Sequence, residues 1–365
     1  MNMNWTVWEY IAAFSIPFLF TLLAVPLHIY FAPRIGLIDK PGARAVHHHP
    51  TPTGGGIAFS LPILAFIGFE VILRSASPFY QPLMGILIGG LLATSLGVLD
   101  DRTNIPPIPK LFFQFAIASI AFVMGLKIRL LTNPFGPDFE LGLLSYPVTL
   151  LWFLGIMNAF NLIDGIDGVA AGIAVITGVV LVVWSILFRN PAMIVLALVM
   201  IGGCLAFLRY NFHPARVFMG DAGSLFLGFL IAATPMVSMG QVKGVTAMTL
   251  LVPIMVLFIP IFDTSTAIIR RIGQHAPLMT GDRLHLHHRL LSIGFSQKGT
   301  ALVIYFVTAM FGLIAIGFSF TTRRTMFILL ILLAFLMAAI CIALFRLAEQ
   351  IHRNGSQNND PRERQ

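Results

Sequence analysis

The chain has 365 residues, of which 57% are hydrophobic and only 10% charged, against about 25% charged in an average soluble domain. A soluble protein of this length would need far more polar surface to cover its core, so that class is excluded. The formal net charge of +8 does not indicate nucleic acid, because the basic residues are scattered among short loops rather than gathered on one face.

A bilayer core takes about 20 apolar residues per helix. Eleven segments meet that need: 6–28, 55–73, 81–99, 109–126, 143–160, 168–188, 191–208, 222–239, 245–268, 299–319 and 325–345. The first has no Lys or Arg before it and no small-residue cleavage site after it, so it reads as a retained span. Segments 109–126 and 143–160 are the weakest, being short or polar at their ends. Between them, residues 127–142 are expected to form a small hairpin. Cys204 and Cys341 lie inside apolar runs and read as packing residues. The expected fold is all-α: a polytopic membrane bundle of about eleven helices over 1–347. A polar tail, 348–365, is expected to be disordered.

Sixteen of the 23 Lys and Arg fall in one set of alternate loops. Arg74, Lys127, Arg129, Arg189, Lys243, Arg323 and Arg324 occupy the other. The richer set should face the cytoplasm, which puts the N-terminus outside and the C-terminus inside. Eleven of the fifteen Asp and Glu share the cytoplasmic side. Carboxylates at the ends of membrane helices are expensive to desolvate and tend to mark sites, so the function is expected on that face.

Four constellations carry chemistry. In GVLDDR, Asp100 and Asp101 end the third span, and two adjacent carboxylates raise one another's pKa unless a cation intervenes. They read as a base or a phosphate- and metal-handling pair with Lys110 nearby, or else as a hydrated helix end paired with Arg102. In NAFNLIDGIDG, Asn158, Asn161, Asp164 and Asp167 are spaced by three. An unbroken helix would spread them around its circumference; Gly165 and Gly168 are expected to break it and let the oxygens converge. In NFHPARVFMGDAGS, Asp221 stands between Gly220 and Gly223 where the chain re-enters the membrane. A helix N-terminus there favours phosphate, although Asp221 is also a candidate N-cap. Phe218 offers a ring to a base or an anchor at the interface. In GDRLHLHHRL, His285, His287, His288 and Arg289 read as an anion clamp rather than a zinc site, because Cys is absent and the Asn/Asp oxygens elsewhere suit Mg²⁺ or Mn²⁺. The His47–His49 run is a weaker signal. Metal, phosphate-binding groups and membrane walls on one face suit phosphoryl transfer to a substrate that enters from lipid.

With these motifs, from Asp39 to Leu291 and in order, the chain resembles the polyprenyl-phosphate N-acetylhexosamine-1-phosphate transferases. The resemblance implies that Asn161 and Asp221 hold Mg²⁺, with Mn²⁺ as a substitute. It makes Asp100 and Asp101 the essential acidic pair, and Lys110 a basic residue near the phosphates; Asp164 joins this catalytic set. Asp167, Asn211 and Phe218 match uridine-contacting positions, and His285 to Arg289 the loop that handles the diphosphate and sugar. Many members carry a further Asp three residues after the pair, where this chain has Asn104. The HxHH form of the last loop is closer to the GlcNAc-using, WecA/TagO-like branch. The implied reaction therefore joins UDP-GlcNAc to undecaprenyl phosphate at the cytoplasmic face of a bacterial inner membrane. Besides these substrates and membrane lipid, a homodimer is left open as a partner. The alternatives are the MurNAc-pentapeptide transferase of the same superfamily, a secondary transporter, whose polar residues would lie at mid-membrane, and a non-catalytic scaffold.

Overall fold

The computed structural model describes residues 5–39, 50–131, 139–238 and 294–318, with the single residues 254, 258, 290, 320, 325, 328, 331, 332 and 335. Helix α1 (Val7–Phe31) opens on a capping box. The Thr6 hydroxyl accepts from the Glu9 amide at 3.3 Å, and the Glu9 carboxylate accepts from the Thr6 amide at 2.6 Å. Then follow α2 (Gly56–Leu73), α3 (Tyr80–Thr103), α4 (Pro107–Val123) and α5 (Ser145–Ile163). Helices α6 (Val169–Leu187), α7 (Pro191–Asn211), α8 (Gly220–Ala233) and α9 (Gln297–Phe318) complete the described set. Helix α7 shows how such a start is written: Asn190 accepts from the Met193 amide at 3.3 Å, and Pro191 takes the first helical position.

A helix satisfies its backbone internally, which lipid demands. Among the described residues, 8 helices are long and apolar enough to cross a membrane. The exception, α4, has 17 residues, whereas α8 reaches spanning length by running on into the 3-10 turn Thr234–Ser238. These nine helices coincide with nine of the eleven expected spans. The other two, 245–268 and 325–345, lie almost wholly outside the described residues, as does the tail.

Helix α8 is the axis of the bundle. Every residue from Ala222 to Ala233 is buried, against α2, α3 and α5. Helix α1 is peripheral, turning Leu19, Phe20, Leu23 and Leu27 outward and packing on α7, while α9 packs on α6. The α3–α8 crossing is so close that a Cβ on Gly97 would fall on the backbone of Asp221 and Ala222. That contact sets the last turn of α3 against the first turn of α8.

Two small antiparallel hairpins complete the described fold. The expected one pairs β3 (Leu130–Leu131) with β4 (Phe139–Glu140). The other, which the sequence did not announce, pairs β1 (Ile38–Asp39) with β2 (Thr51–Pro52). It has a positional role. The Phe218 amide donates to the Pro52 carbonyl at 2.8 Å, and the Gly55 and Gly56 amides donate to the Phe218 and Met219 carbonyls at 2.9 and 2.8 Å. The loop before α8 is thereby held to the loop before α2.

Each end of the bundle carries a polar cluster. At one end Arg74, just after α2, meets Glu9 at 2.7 Å and Glu70 at 2.8 Å. Its guanidinium lies 3.4 Å over the Trp5 ring, clipping α1 to α2. At the other end converge the C-termini of α3, α5 and α7 and the N-termini of α4, α6 and α8.

Candidate active site

Asp100 lies in the last turn of α3 and is buried. Its Oδ1 accepts from the Ile105 amide at 2.6 Å, and its Oδ2 meets Lys110 Nζ at 2.6 Å. Asn104 ends α3 in the left-handed region, and Pro106 and Pro107 start α4, so Lys110 returns over Asp100 from the next helix. The ammonium also pairs with Asp221 of α8. Arg102, the alternative partner, is exposed.

Asp221 is the second residue of α8, and its side chain makes no capping bond to its own helix. Its Oδ1 instead accepts from Asn161 Nδ2 at 2.7 Å, and that same nitrogen donates to Ser224 Oγ at 2.9 Å. Four helices thus meet through Asp100, Lys110, Asn161 and Asp221. Asp101 belongs to the same cluster but faces elsewhere. Its two oxygens accept from the Asp221 and Ala222 amides at 2.7 and 3.1 Å. Gly220 (φ +69°) lies against that carboxylate, where any side chain would strike it.

The expected break occurs. Helix α5 stops at Ile163, with Asp164 as its C-cap, and α6 restarts at Val169. Asp164 has no hydrogen bond or ion pair among the described residues. Burial, followed by the negative charges of Asp221, Asp101 and Asp167, pushes its carboxyl well above the ordinary carboxylate value. Asn158 does not join the others. It makes a reciprocal amide pair with the buried Gln114 of α4, at 2.8 and 3.4 Å. That pair lies one turn deeper than Asn161 and Lys110 and holds α4 to α5.

Asp167 Oδ2 lies 2.8 Å from His213 Nδ1 and accepts from the Ala215 amide at 3.0 Å. Asn211, 3% exposed, is turned inward. Its Oδ1 accepts from the Gly168 amide at 3.1 Å and its Nδ2 donates to the Val217 carbonyl at 2.9 Å. Tyr305 of α9 donates to the Gly168 carbonyl at 2.7 Å. These bonds tie the segment at Asp167–Gly168 to the loop that runs from Asn211 to Val217 and on to Phe218. His285, His287, His288, Arg289 and His47–His49 lie outside the described residues.

Sequence reasoning did not single out Gln114, His213, Ser224 or Tyr305. Gln114 had a readable signal, a lone amide in an apolar run. His213 and Ser224 stood inside a motif already noted. Tyr305 had none.

The donor set suits a hard cation. Among the described residues no three His, Cys, Asp or Glu side chains form a ligand set by themselves. Mg²⁺ is held by one or two carboxylates, with waters and substrate phosphates completing the shell. Asp221 matches that pattern, and Asn161 Oδ1 has no partner among the described residues to compete for it.

Residues 83–239 match the family described as Glycosyl transferase family 4. Several curated proteins are similar along most of the chain. A probable undecaprenyl-phosphate N-acetylglucosaminyl 1-phosphate transferase of Bacillus subtilis is 38% identical, over 89% of this chain and 90% of its own length. A decaprenyl-phosphate N-acetylglucosaminephosphotransferase of Mycobacterium leprae is 34% identical, over 81% and 80%. An undecaprenyl-phosphate alpha-N-acetylglucosaminyl 1-phosphate transferase of Yersinia pestis is 32% identical, over 91% and 90%.

Proposed function

The chain belongs to Glycosyl transferase family 4, among the polyprenyl-phosphate N-acetylglucosaminyl 1-phosphate transferases it matches, and we propose that it transfers GlcNAc-1-phosphate from UDP-GlcNAc to undecaprenyl phosphate. An oxygen of the lipid phosphate bonds to the β-phosphorus of the UDP-sugar. The bond from that phosphorus to the bridging oxygen breaks, UMP leaves, and undecaprenyl-diphospho-GlcNAc remains in the membrane.

One observation carries this reading: a single ammonium, Lys110, bridges carboxylates from two helices at the membrane-helix ends, beside an amide and a carboxylate suited to a divalent cation. In phosphoryl transfer the protein contributes mainly positioning and neutralisation of charge. Asn161 and Asp221 would hold Mg²⁺, or Mn²⁺ in its place, and the ion supplies neutralisation of charge on the diphosphate. Lys110 adds a fixed positive charge beside it. In this reading the segments that carry Asp167, Asn211 and Phe218 would take the uridine. The Lys and Arg counts support a reading in which this end of the bundle faces the cytoplasm, where UDP-sugars are available, with the bundle in the bacterial inner membrane.

The test is an assay on purified full-length protein with UDP-GlcNAc, undecaprenyl phosphate and Mg²⁺, analysed for UMP and lipid product. EDTA should abolish turnover, and Mg²⁺ or Mn²⁺ should restore it. Restoration by Zn²⁺ alone would move the metal to the histidine tract. Turnover of UDP-MurNAc-pentapeptide in preference to UDP-GlcNAc would overturn the assigned sugar.

A further inference from the structure

The two adjacent aspartates of α3 have different surroundings. Helix α8 begins with amides that have no intrahelical partner. Its own N-cap, Met219, offers no side-chain acceptor. The acceptor arrives from another helix. Asp101 takes the Asp221 and Ala222 amides at 2.7 and 3.1 Å, one on each oxygen, and a carboxylate is favoured there by the helix dipole. Gly220 and Gly54 lie against the same carboxylate, which leaves a third molecule little room to approach it. Asp100 has another outlook: its Oδ2 faces Lys110, the ammonium shared with Asp221.

We propose that Asp101 is a positioning residue, a cap supplied across the α3–α8 crossing that sets the first turn of α8 and with it the Asp221 carboxylate, so that Asp100 alone of the pair faces the reacting phosphates. This rests on the transferase reading and divides the labour within it. Two features of the fold support the division. The Gly97 contact brings the two helix ends together whatever residue follows. Asp221 sits one residue beyond the left-handed Gly220, so its direction depends on how that first turn is held. If the cap is removed, the Asp221 carboxylate is free to drift from the place where Asn161 and Lys110 meet it.

A base or nucleophile at 101 and a cap at 101 respond differently to Asn. Asparagine cannot take a proton from a substrate or form an acyl-phosphate, yet its single amide oxygen still keeps one of the two cap bonds, and Asn is among the favoured helix caps. We therefore expect Asp101→Asn to keep turnover within about tenfold of the parent, with the shape of its kcat–pH profile unchanged. Asp101→Ala should lose about 100-fold, the scale of a misplacement near 1 Å, and should need about tenfold more Mg²⁺ for half-maximal rate. Asp100→Asn, assayed beside them, should be far more damaged than Asp101→Asn. Tryptophan-monitored thermal unfolding in detergent checks that each variant is folded. An Asp101→Asn variant as inactive as Asp100→Asn, or one that loses the acid limb of the pH profile, overturns the proposal. Failure of Asp101→Asn to fold overturns it too, because a cap that keeps one acceptor should still hold the turn. Failure of the parent protein to form UMP would instead refute the transferase reading.

Discussion

The two ends of the bundle each hold a cluster of carboxylates around one cation, and they are built to opposite purposes. At the Arg74 end one guanidinium serves two carboxylates, Glu9 and Glu70, and covers the Trp5 ring. Its planar fork matches carboxylates, and the result is a closed clip between α1 and α2. At the Lys110 end one ammonium serves a cluster of four carboxylates: Asp100 and Asp221 directly, with Asp101 and Asp164 close by. Among the described residues, negative charge there outruns positive charge. The first arrangement stabilises a fold, while the second is the one to which the proposed function assigns a metal ion.

The largest effect should come from the open cluster. Asp221→Asn keeps the shape of the side chain but removes the charge that would hold the cation. Turnover should fall by about two orders of magnitude or more, since a metal supplies several kcal/mol of transition-state stabilisation. Steady-state kinetics at saturating lipid measures it, and near-normal kcat would mean that the two ends differ less than their geometry implies. Breaking the closed cluster should do the reverse. Arg74→Ala leaves the buried Glu70 without its ion-pair partner and should cost about 3–5 kcal/mol of stability, read by thermal unfolding. Turnover per folded molecule should remain near the parent's.

Smaller effects sharpen the contrast within the site itself. Phe218→Ala should weaken UDP-sugar binding by roughly 1–3 kcal/mol if the ring stacks on the base. The loss should appear in KM with kcat nearly unchanged, and a collapse of kcat in a folded variant would place the ring at the reacting centre instead. Asp164→Asn tests the excess of negative charge directly. The Asp164 carboxyl titrates above its ordinary value in the folded protein, so between those two values the native state holds a proton that the unfolded state has released. Stability from this group therefore falls as pH rises through that window. In metal-free protein the variant should melt higher than the parent at neutral pH, and the difference should shrink as pH falls toward about 4, the ordinary range for aspartate. A variant that melts lower at neutral pH would show that Asp164 is stabilised rather than strained by its neighbours.

Much of this was legible in the sequence, and the legible part has a common cause. Membrane insertion is decided locally, by about 20 apolar residues at a time, so runs such as 168–188 and 191–208 mark α6 and α7 almost to the residue. The break at Asp164–Gly168 was readable for a similar reason, as glycine and acidic residues interrupted the run. The motifs placed Asp100, Asp101, Lys110, Asn161 and Asp221 in one chemical set, and the fold brings these residues together. What the linear chain could not convey was which way each side chain turns once helices distant in sequence have packed. Asn158 and Asn161 look equivalent by spacing, yet one clamps Gln114 and the other meets Asp221. Asp100 and Asp101 are neighbours, but about 100° of helical rotation separates them, so one faces α4 and the other caps α8. Tyr305 reaches Gly168 across 137 residues. Composition and motif determined that this chain crosses a membrane and gathers its oxygen and nitrogen ligands at helix ends. Only helix crossings, set by close contacts such as Gly97 on α8, decided which of those ligands face each other.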